Sequence, residues 1–407
     1  MLEDILIFCV NLSRQLILSG ANLERVYLAI NFVCRTYNLQ DISIFLLSSH
    51  ISISASDSNS HYASRQASIP PAGINLERLR SLNQLSYKVA EIKPSPKLLD
   101  KMLSRAMNVK EYKDYIIILG RIIAMSCLSF IFGGGFLDLV PVIFVTIIMH
   151  YLLIYLEKSG LDKILANILI MFIATSCAIF FIHLGLGKKL SVVLITVSMV
   201  VIPGIPLVNA MRNLLCGHEN NGILQMLKIF IETMALAMGI YIALAVFKSY
   251  VILGAFNFAH VNNYLLVILS FFASVGFAIV FNIPVKDLYL AGLGGALARI
   301  ALISLAPLNF HRLLYMTLSA LVASLYAEFF AVTRRQPSTF FVYPAIIPLI
   351  PGDLFLYAIS GIYTGATERV IDHTLNCLYS LSGLSLGFVL CSTISHYVRK
   401  MRYSIIR

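Results

Sequence analysis

Ile202-Pro203-Gly204 and Ile350-Pro351-Gly352 each interrupt a long apolar stretch, and these two breaks are the positions in the chain best suited to binding chemistry. Proline removes a backbone donor and glycine admits close approach, so a helix broken there turns freed peptide groups toward whatever it faces. Asn209 follows the first break and Asp353 the second; each can hydrogen-bond an ammonium or hydroxyl group, or cap a helix end. Arg299 closes the run Gly292-Leu293-Gly294-Gly295-Ala296-Leu297-Ala298, whose small residues let helices pack closely around a guanidinium able to grip a carboxylate through two bonds. The competing reading is a structural Arg299 paired with Glu328 or Glu232. Pro203, Gly204, Asn209, Arg299, Pro351, Gly352 and Asp353 form the expected substrate-binding set. Glu328, Asp353 and Asp138 are proton-coupling candidates, because a desolvated carboxylate can load and release a proton; salt-bridge partnership is the alternative.

These residues need a membrane frame. The 407 residues are 58% hydrophobic and 13% charged, with a mean hydropathy of +0.83, about half the charge of an ordinary soluble domain. In a soluble protein a formal charge of +11 would suggest nucleic acid; here Lys and Arg fall in loops, tails and the first hundred-odd residues, so no nucleic-acid partner is expected. Seven cysteines without a C-x-x-C pair indicate neither a disulfide framework nor a metal site, and no cofactor motif is present. No G-x-x-x-x-G-K-[ST] loop exists, which disfavours an ATP-driven pump.

Residues 1–113 hold no run long enough to cross a bilayer and read as a small cytoplasmic α+β domain. Two helices, the second capped by Asn22, precede strands around Ile42 to Leu47, Ile51 to Ala55 and Tyr62 to Ala67. Asn75 caps a further helix, and a last basic helix from Lys97 to Lys113 leads into the membrane. Ser48-Ser49-His50, Asp57 and His61 superficially offer hydrolase parts, yet no G-x-S-x-G elbow accompanies them and no enzyme is expected.

From Tyr115 onward ten apolar segments follow, five in residues 114–248 and five in 249–407. The Pro-Gly pair recurs at an offset of 148, which also aligns Ala210 with Ala358 and Gly217 with Gly365. Gly133-Gly134-Gly135 with Asp138, and Asn282-Ile283-Pro284 with Asp287, end the first segment of each half. An odd number of spans per copy forces the second copy upside down. The expected fold is thus an α-helical polytopic membrane protein of about ten transmembrane helices in two inverted five-helix repeats. With both termini cytoplasmic, inside ends collect Lys158, Lys163, Arg212, Lys286, Arg334, Arg335, Arg399, Lys400, Arg402 and Arg407, and outside ends Lys188, Lys189, Lys248, Arg312 and Arg369.

Ser19-Gly20-Ala21-Asn22-Leu23-Glu24-Arg25-Val26, Gly133-Gly134-Gly135 with Asp138, Ile202-Pro203-Gly204-Ile205-Pro206 and Ile350-Pro351-Gly352 together resemble the bacterial threonine/serine exporter family over nearly the whole chain. The resemblance implies efflux of small hydrophilic metabolites, threonine or serine first, driven by the proton motive force across the bacterial cytoplasmic membrane. Split relatives implicated in succinate export make dicarboxylate efflux the alternative, with Arg299 and Arg121 as two cationic contacts. An anchored enzyme or sensor acting through residues 1–113 is the third reading. The partners expected are the small-molecule substrate and the lipid bilayer, with a homo-oligomer left open. Pro206 has Leu354 as its counterpart, so the two half-sites need not be equivalent.

Overall fold

The computed structural model describes residues 2–47, 49–70, 73–248, 261–334, 336–365 and 367–405. Ser48, Arg335, Arg407 and the expected start of the second half at residue 249 lie outside them. The chain divides into two compact units: Met1–Tyr112 with Phe281–Val285 and Ala331–Phe340, and Lys113–Val280 with Lys286–Phe330 and Phe341–Arg407.

The first unit runs α1 (Leu2–Leu18), α2 (Leu23–Thr36), β1 (Gln40–Leu46), β2 (His50–Ser56), β3 (Tyr62–Ser68), α3 (Leu76–Ile92) and α4 (Pro96–Met107). Asn22 and Asn75 cap α2 and α3 by accepting from the N–H groups of Arg25 and Arg78, which satisfies donors that a helix start leaves orphaned. The sheet is antiparallel with β2 in the centre. Along β2 the apolar residues Ile51, Ile53 and Ala55 alternate with serines and are fully buried, and α1 packs over β2 and β3. Helix α4 stops at Met107 instead of reaching Lys113. Asn108 leaves helical geometry (φ −83°, ψ 73°), and Tyr112 N–H donates to Asn282 Oδ1 at 2.9 Å, not to a carbonyl four residues back. The same unit holds Phe281–Val285 at four further points: Leu76 N–H to Phe281 O (2.8 Å), Tyr112 Oη–H to Ile283 O (2.7 Å), and Asn282 Nδ2 to Lys110 O (3.3 Å) and to Asn75 Oδ1 (3.4 Å).

The second unit is helical. Its first half comprises α5 (Asp114–Ile131), a 3₁₀ turn (Phe136–Asp138), α6 (Leu139–Ser159), α7 (Lys163–His183), α8 (Leu190–Ser198), α9 (Gly204–Leu215) and α10 (Glu219–Val246). Its second half comprises α11 (Asn263–Val280), a 3₁₀ turn (Val285–Asp287), α12 (Leu288–Leu305), α13 (Arg312–Arg334), α14 (Thr339–Ile346), a 3₁₀ turn (Ile347–Leu349), α15 (Gly352–Thr364) and α16 (Thr367–Ile405). The helix starts Asp114 and Asn263, Leu139 and Leu288, Lys163 and Arg312, and Leu190 and Thr339 are each 149 residues apart. From the breaks onward the spacing is 148, as Gly204 and Gly352 or Glu219 and Thr367 show. The halves therefore differ in register by one residue, lost between α14 and α15.

Eight described helices are long and apolar enough to cross a bilayer, or nine if the pair Thr339–Leu349 and Gly352–Ala358, bent by 51°, counts as one span. Ten were expected. The difference lies in the fourth segment of each half: the apolar run 190–208 divides into α8, of nine residues, and α9, of twelve, each too short to cross alone.

Equivalent helices cross through equivalent glycines. A Cβ at Gly239 of α10 would collide with Ile168 O, Met171 Cβ and Phe172 N of α7, and a Cβ at Gly387 of α16 with Thr317 O, Ala320 Cβ and Leu321 N of α13. Position for position these are the same three neighbours. Contact at backbone distance is the small-residue packing that holds helices together where lipid removes the hydrophobic driving force.

Gly239→Leu and Gly387→Leu should each lower the stability of the detergent-solubilised protein by about 1–3 kcal/mol or prevent its accumulation, since backbone cannot retreat from an inserted side chain. Met238→Leu, on an exposed position of α10, should leave the thermal unfolding midpoint nearly unchanged.

Candidate functional site

Both Ile-Pro-Gly motifs fold into the same turn. Gly204 N–H donates to Ile202 O and Gly352 N–H to Ile350 O, each at 2.9 Å, while Pro203 (φ −79°, ψ 68°) and Pro351 (φ −80°, ψ 51°) occupy the centre. These are inverse γ-turns, and the ring of proline presets the φ they require. Helices α9 and α15 begin directly at the glycines, with Leu207 N–H bonding to Pro203 O and Phe355 N–H to Pro351 O.

The two turns lean on one another. A Cβ on Gly204 would stand 3.1 Å from Ile350 Cγ2, and one on Gly352 would stand 2.9 Å from Met199 Sδ and 3.6 Å from Ile202 Cγ2. Since Ile202 and Ile350 are register equivalents, as are the two glycines, the contact is reciprocal. Asn209, on α9, donates from Nδ2 to Tyr343 Oη of α14 at 3.1 Å and so ties the first half to the second beside the turns.

Arg299 is buried on α12, with Nε donating to Ser270 Oγ of α11 at 2.9 Å and Nη2 to Pro348 O at 2.7 Å. Pro348 lies in the 3₁₀ turn that precedes the second break, so the guanidinium satisfies a carbonyl freed by the interruption. The expected pairing with Glu232 or Glu328 is not made. Glu232 instead bonds Lys163 Nζ at 2.8 Å between α10 and α7, because the intervening chain places that lysine at the nearer helix end. Glu328 lies within electrostatic reach of Cys391, which Arg212 also approaches.

Asp353 opens α15, and Arg299, Arg312 and His373 lie within electrostatic reach of its carboxylate. A carboxylate in a first helical turn also meets the positive end of the helix dipole. Tyr357, one turn further on, packs its ring 5.4 Å from that of His373. Glu328 stands sixteen residues beyond Arg312 on α13, about 24 Å along the axis. Asp353 and Glu328 therefore belong to different ends of the unit. Asp138 is bound by backbone alone: Oδ2 accepts from Gly135 N–H (2.8 Å) and Oδ1 from Lys188 and Lys189 N–H (2.7 and 2.9 Å), an arrangement that joins the turn before α6 to the start of α8.

Sequence reasoning missed Tyr343, Ser270, Tyr357 and His373. Only Ser270 carries a signal, its register position opposite Arg121. In the first unit the Asp57 and His61 side chains serve a turn: Asp57 Oδ1 accepts from the His61 and Asn59 N–H groups, and Oδ2 lies 3.1 Å from the His61 ring. The His61 N–H, followed by the other bonds to His61 and Asn59, holds the Asp57 carboxyl below its ordinary range.

An apolar chain of many spans, interrupted at matching places where polar side chains converge, is a multi-pass membrane transporter. The chain belongs to the threonine/serine exporter family: one family description of that name matches residues 7–247 and a second matches residues 266–394. No curated protein and no solved structure matches it.

Arg299→Ala should leave Pro348 O without a donor and cost about 1–3 kcal/mol, read as a lower unfolding midpoint in detergent. Arg299→Lys should recover only part of that loss, because one ammonium cannot reproduce the two-directional fork. Equal stability of the alanine variant and the unaltered protein would show that the bond to Pro348 holds nothing.

Proposed function

We propose that this protein is a secondary exporter of small hydroxylated amino acids, threonine and serine, driven by the proton motive force across a bacterial cytoplasmic membrane. The reciprocal contact between the two Ile-Pro-Gly turns carries the reading, because paired breaks in duplicated halves are where transporters of this kind build their substrate sites. Asp353 is placed to meet a substrate ammonium, and the Asn209–Tyr343 pair offers both a donor and an acceptor to a hydroxyl. Arg299 positions the second break from behind. Asp353 is also the proton-coupling carboxylate of this reading, since a carboxylate at the start of a broken span can exchange its proton for a substrate ammonium. The matching helix starts, with a single one-residue change of register, and the five apolar segments per half support two inverted five-helix repeats with both termini cytoplasmic.

Counterflow of labelled threonine, serine and succinate into proteoliposomes tests the substrate. Threonine and serine should exchange, faster with a pH gradient, and flux of succinate alone would replace this reading by dicarboxylate export. Asp353→Asn should abolish the acceleration by the gradient and raise the KM of counterflow, because it removes both the titrating group and the partner of the substrate ammonium.

The register equivalents Leu161 and Phe310, in the loops after α6 and after α12, test the inversion. On a cysteine-free background Leu161→Cys and Phe310→Cys should react with a membrane-impermeant maleimide from opposite faces. Labelling from one face would rule out inverted halves.

A further inference from the structure

The register that aligns the halves puts His150 where Arg299 stands and Arg121 where Ser270 stands. In the second half that pair is closed, with Arg299 bonded to Ser270 Oγ and Pro348 O. In the first half it is open. Among the described residues neither ring nitrogen of His150, which is 3% exposed, has a hydrogen-bond partner, and the buried Arg121 Nη1 has none either. Arg121, on the neighbouring α5, lies within electrostatic reach of the His150 ring. Thr146, one turn before His150 on the same face of α6, adds a fully buried hydroxyl without a partner. Asp114 also acts on His150 but lies exposed at the start of α5, two turns before Arg121.

Buried donors left unsatisfied are costly, and a buried guanidinium needs a counter-charge. Among the described residues no side chain supplies the acceptor, which leaves the position to a ligand. A carboxylate meets the requirement: it is planar, brings two oxygens for several donors, and carries the single negative charge that one guanidinium balances, where a phosphate dianion would leave an excess. We propose that Arg121, His150 and Thr146 form a carboxylate-binding subsite in the first half, and that it takes the carboxylate of the exported amino acid. The subsite rests on the reading of the chain as an amino-acid exporter, and it supplies the contact that Arg299, committed to Ser270 and Pro348, does not.

The chain contains no tryptophan, and the Tyr151 ring lies 5.3 Å from that of His150, so Tyr151→Trp places a single fluorophore beside the subsite. In the purified full-length protein, acetate and threonine should change its emission saturably, whereas threoninamide, which lacks the carboxylate, and chloride should not. Adding Arg121→Gln or His150→Gln should weaken acetate and threonine by about tenfold or more, the effect of losing a charge-assisted bond. Equal responses to threonine and threoninamide, or unchanged acetate affinity in the glutamine variants, would overturn the subsite. If those variants do not fold, the unaltered protein decides: acetate must raise its unfolding midpoint above the value in equal chloride, and no difference overturns the subsite. Counterflow separates the two claims. Threonine exchange with unaltered KM in Arg121→Gln removes the subsite and leaves the exporter standing; acetate binding lost in Arg121→Gln, with no threonine exchange by the unaltered protein, removes the exporter reading and leaves the subsite.

Discussion

Peptide groups released by a helix break at membrane depth have no water to bond, so the protein itself must satisfy them, and the arrangement of the helical unit follows from that requirement. Each inverse γ-turn returns its glycine N–H to the isoleucine two residues back, and each proline carbonyl takes the first bond of the next helix. The second break leaves Pro348 O over, and Arg299 is the donor that meets it. Because the turns also press on one another, neither can shift without displacing the other's isoleucine. The glycine crossings of α10 on α7 and of α16 on α13 then fix the helices that flank them at backbone distance.

What the sequence revealed and what it hid divide along a physical line. The Ile-Pro-Gly pair was legible because proline and glycine determine backbone geometry locally, and the Asn22 and Asn75 caps were legible for the same reason. Hydropathy marks depth and not direction, so 190–208 read as one span although the chain turns within it. The basic stretch from Lys97 to Lys113 contains no glycine or proline to mark an end. The helix nevertheless stops at Met107, and beyond it Tyr112 bonds Asn282, 170 residues away, which no local pattern announces. Arg299 drew attention through its charge, which suggested a carboxylate partner, whereas its actual partners are a serine hydroxyl and a peptide carbonyl that carry no charge signature. The offset of 148 belongs to motifs that follow the single-residue difference, while Asp138 and Asp287 already stand 149 apart; the equivalence of His150 and Arg299 follows from the helix starts that share this longer register.

The repeated frame carries unrepeated chemistry. Helix starts, turns and glycine crossings coincide between halves, yet Asp353 faces Ile205 in register, Tyr357 matches Asn209, and the mid-helix arginine is Arg299 on α12 in one half and Arg121 on α5 in the other. Backbone geometry can be duplicated freely, because a turn or a crossing is satisfied within its own half. A charge cannot, for two like charges brought together where the halves meet would repel in a medium that screens them poorly. Divergence of polar side chains on a conserved backbone pattern is therefore what a paired site requires. It would also suit the amino acid proposed as substrate, which presents an ammonium, a carboxylate and a hydroxyl in different directions, where two half-sites of identical chemistry would have no means of telling one end from the other.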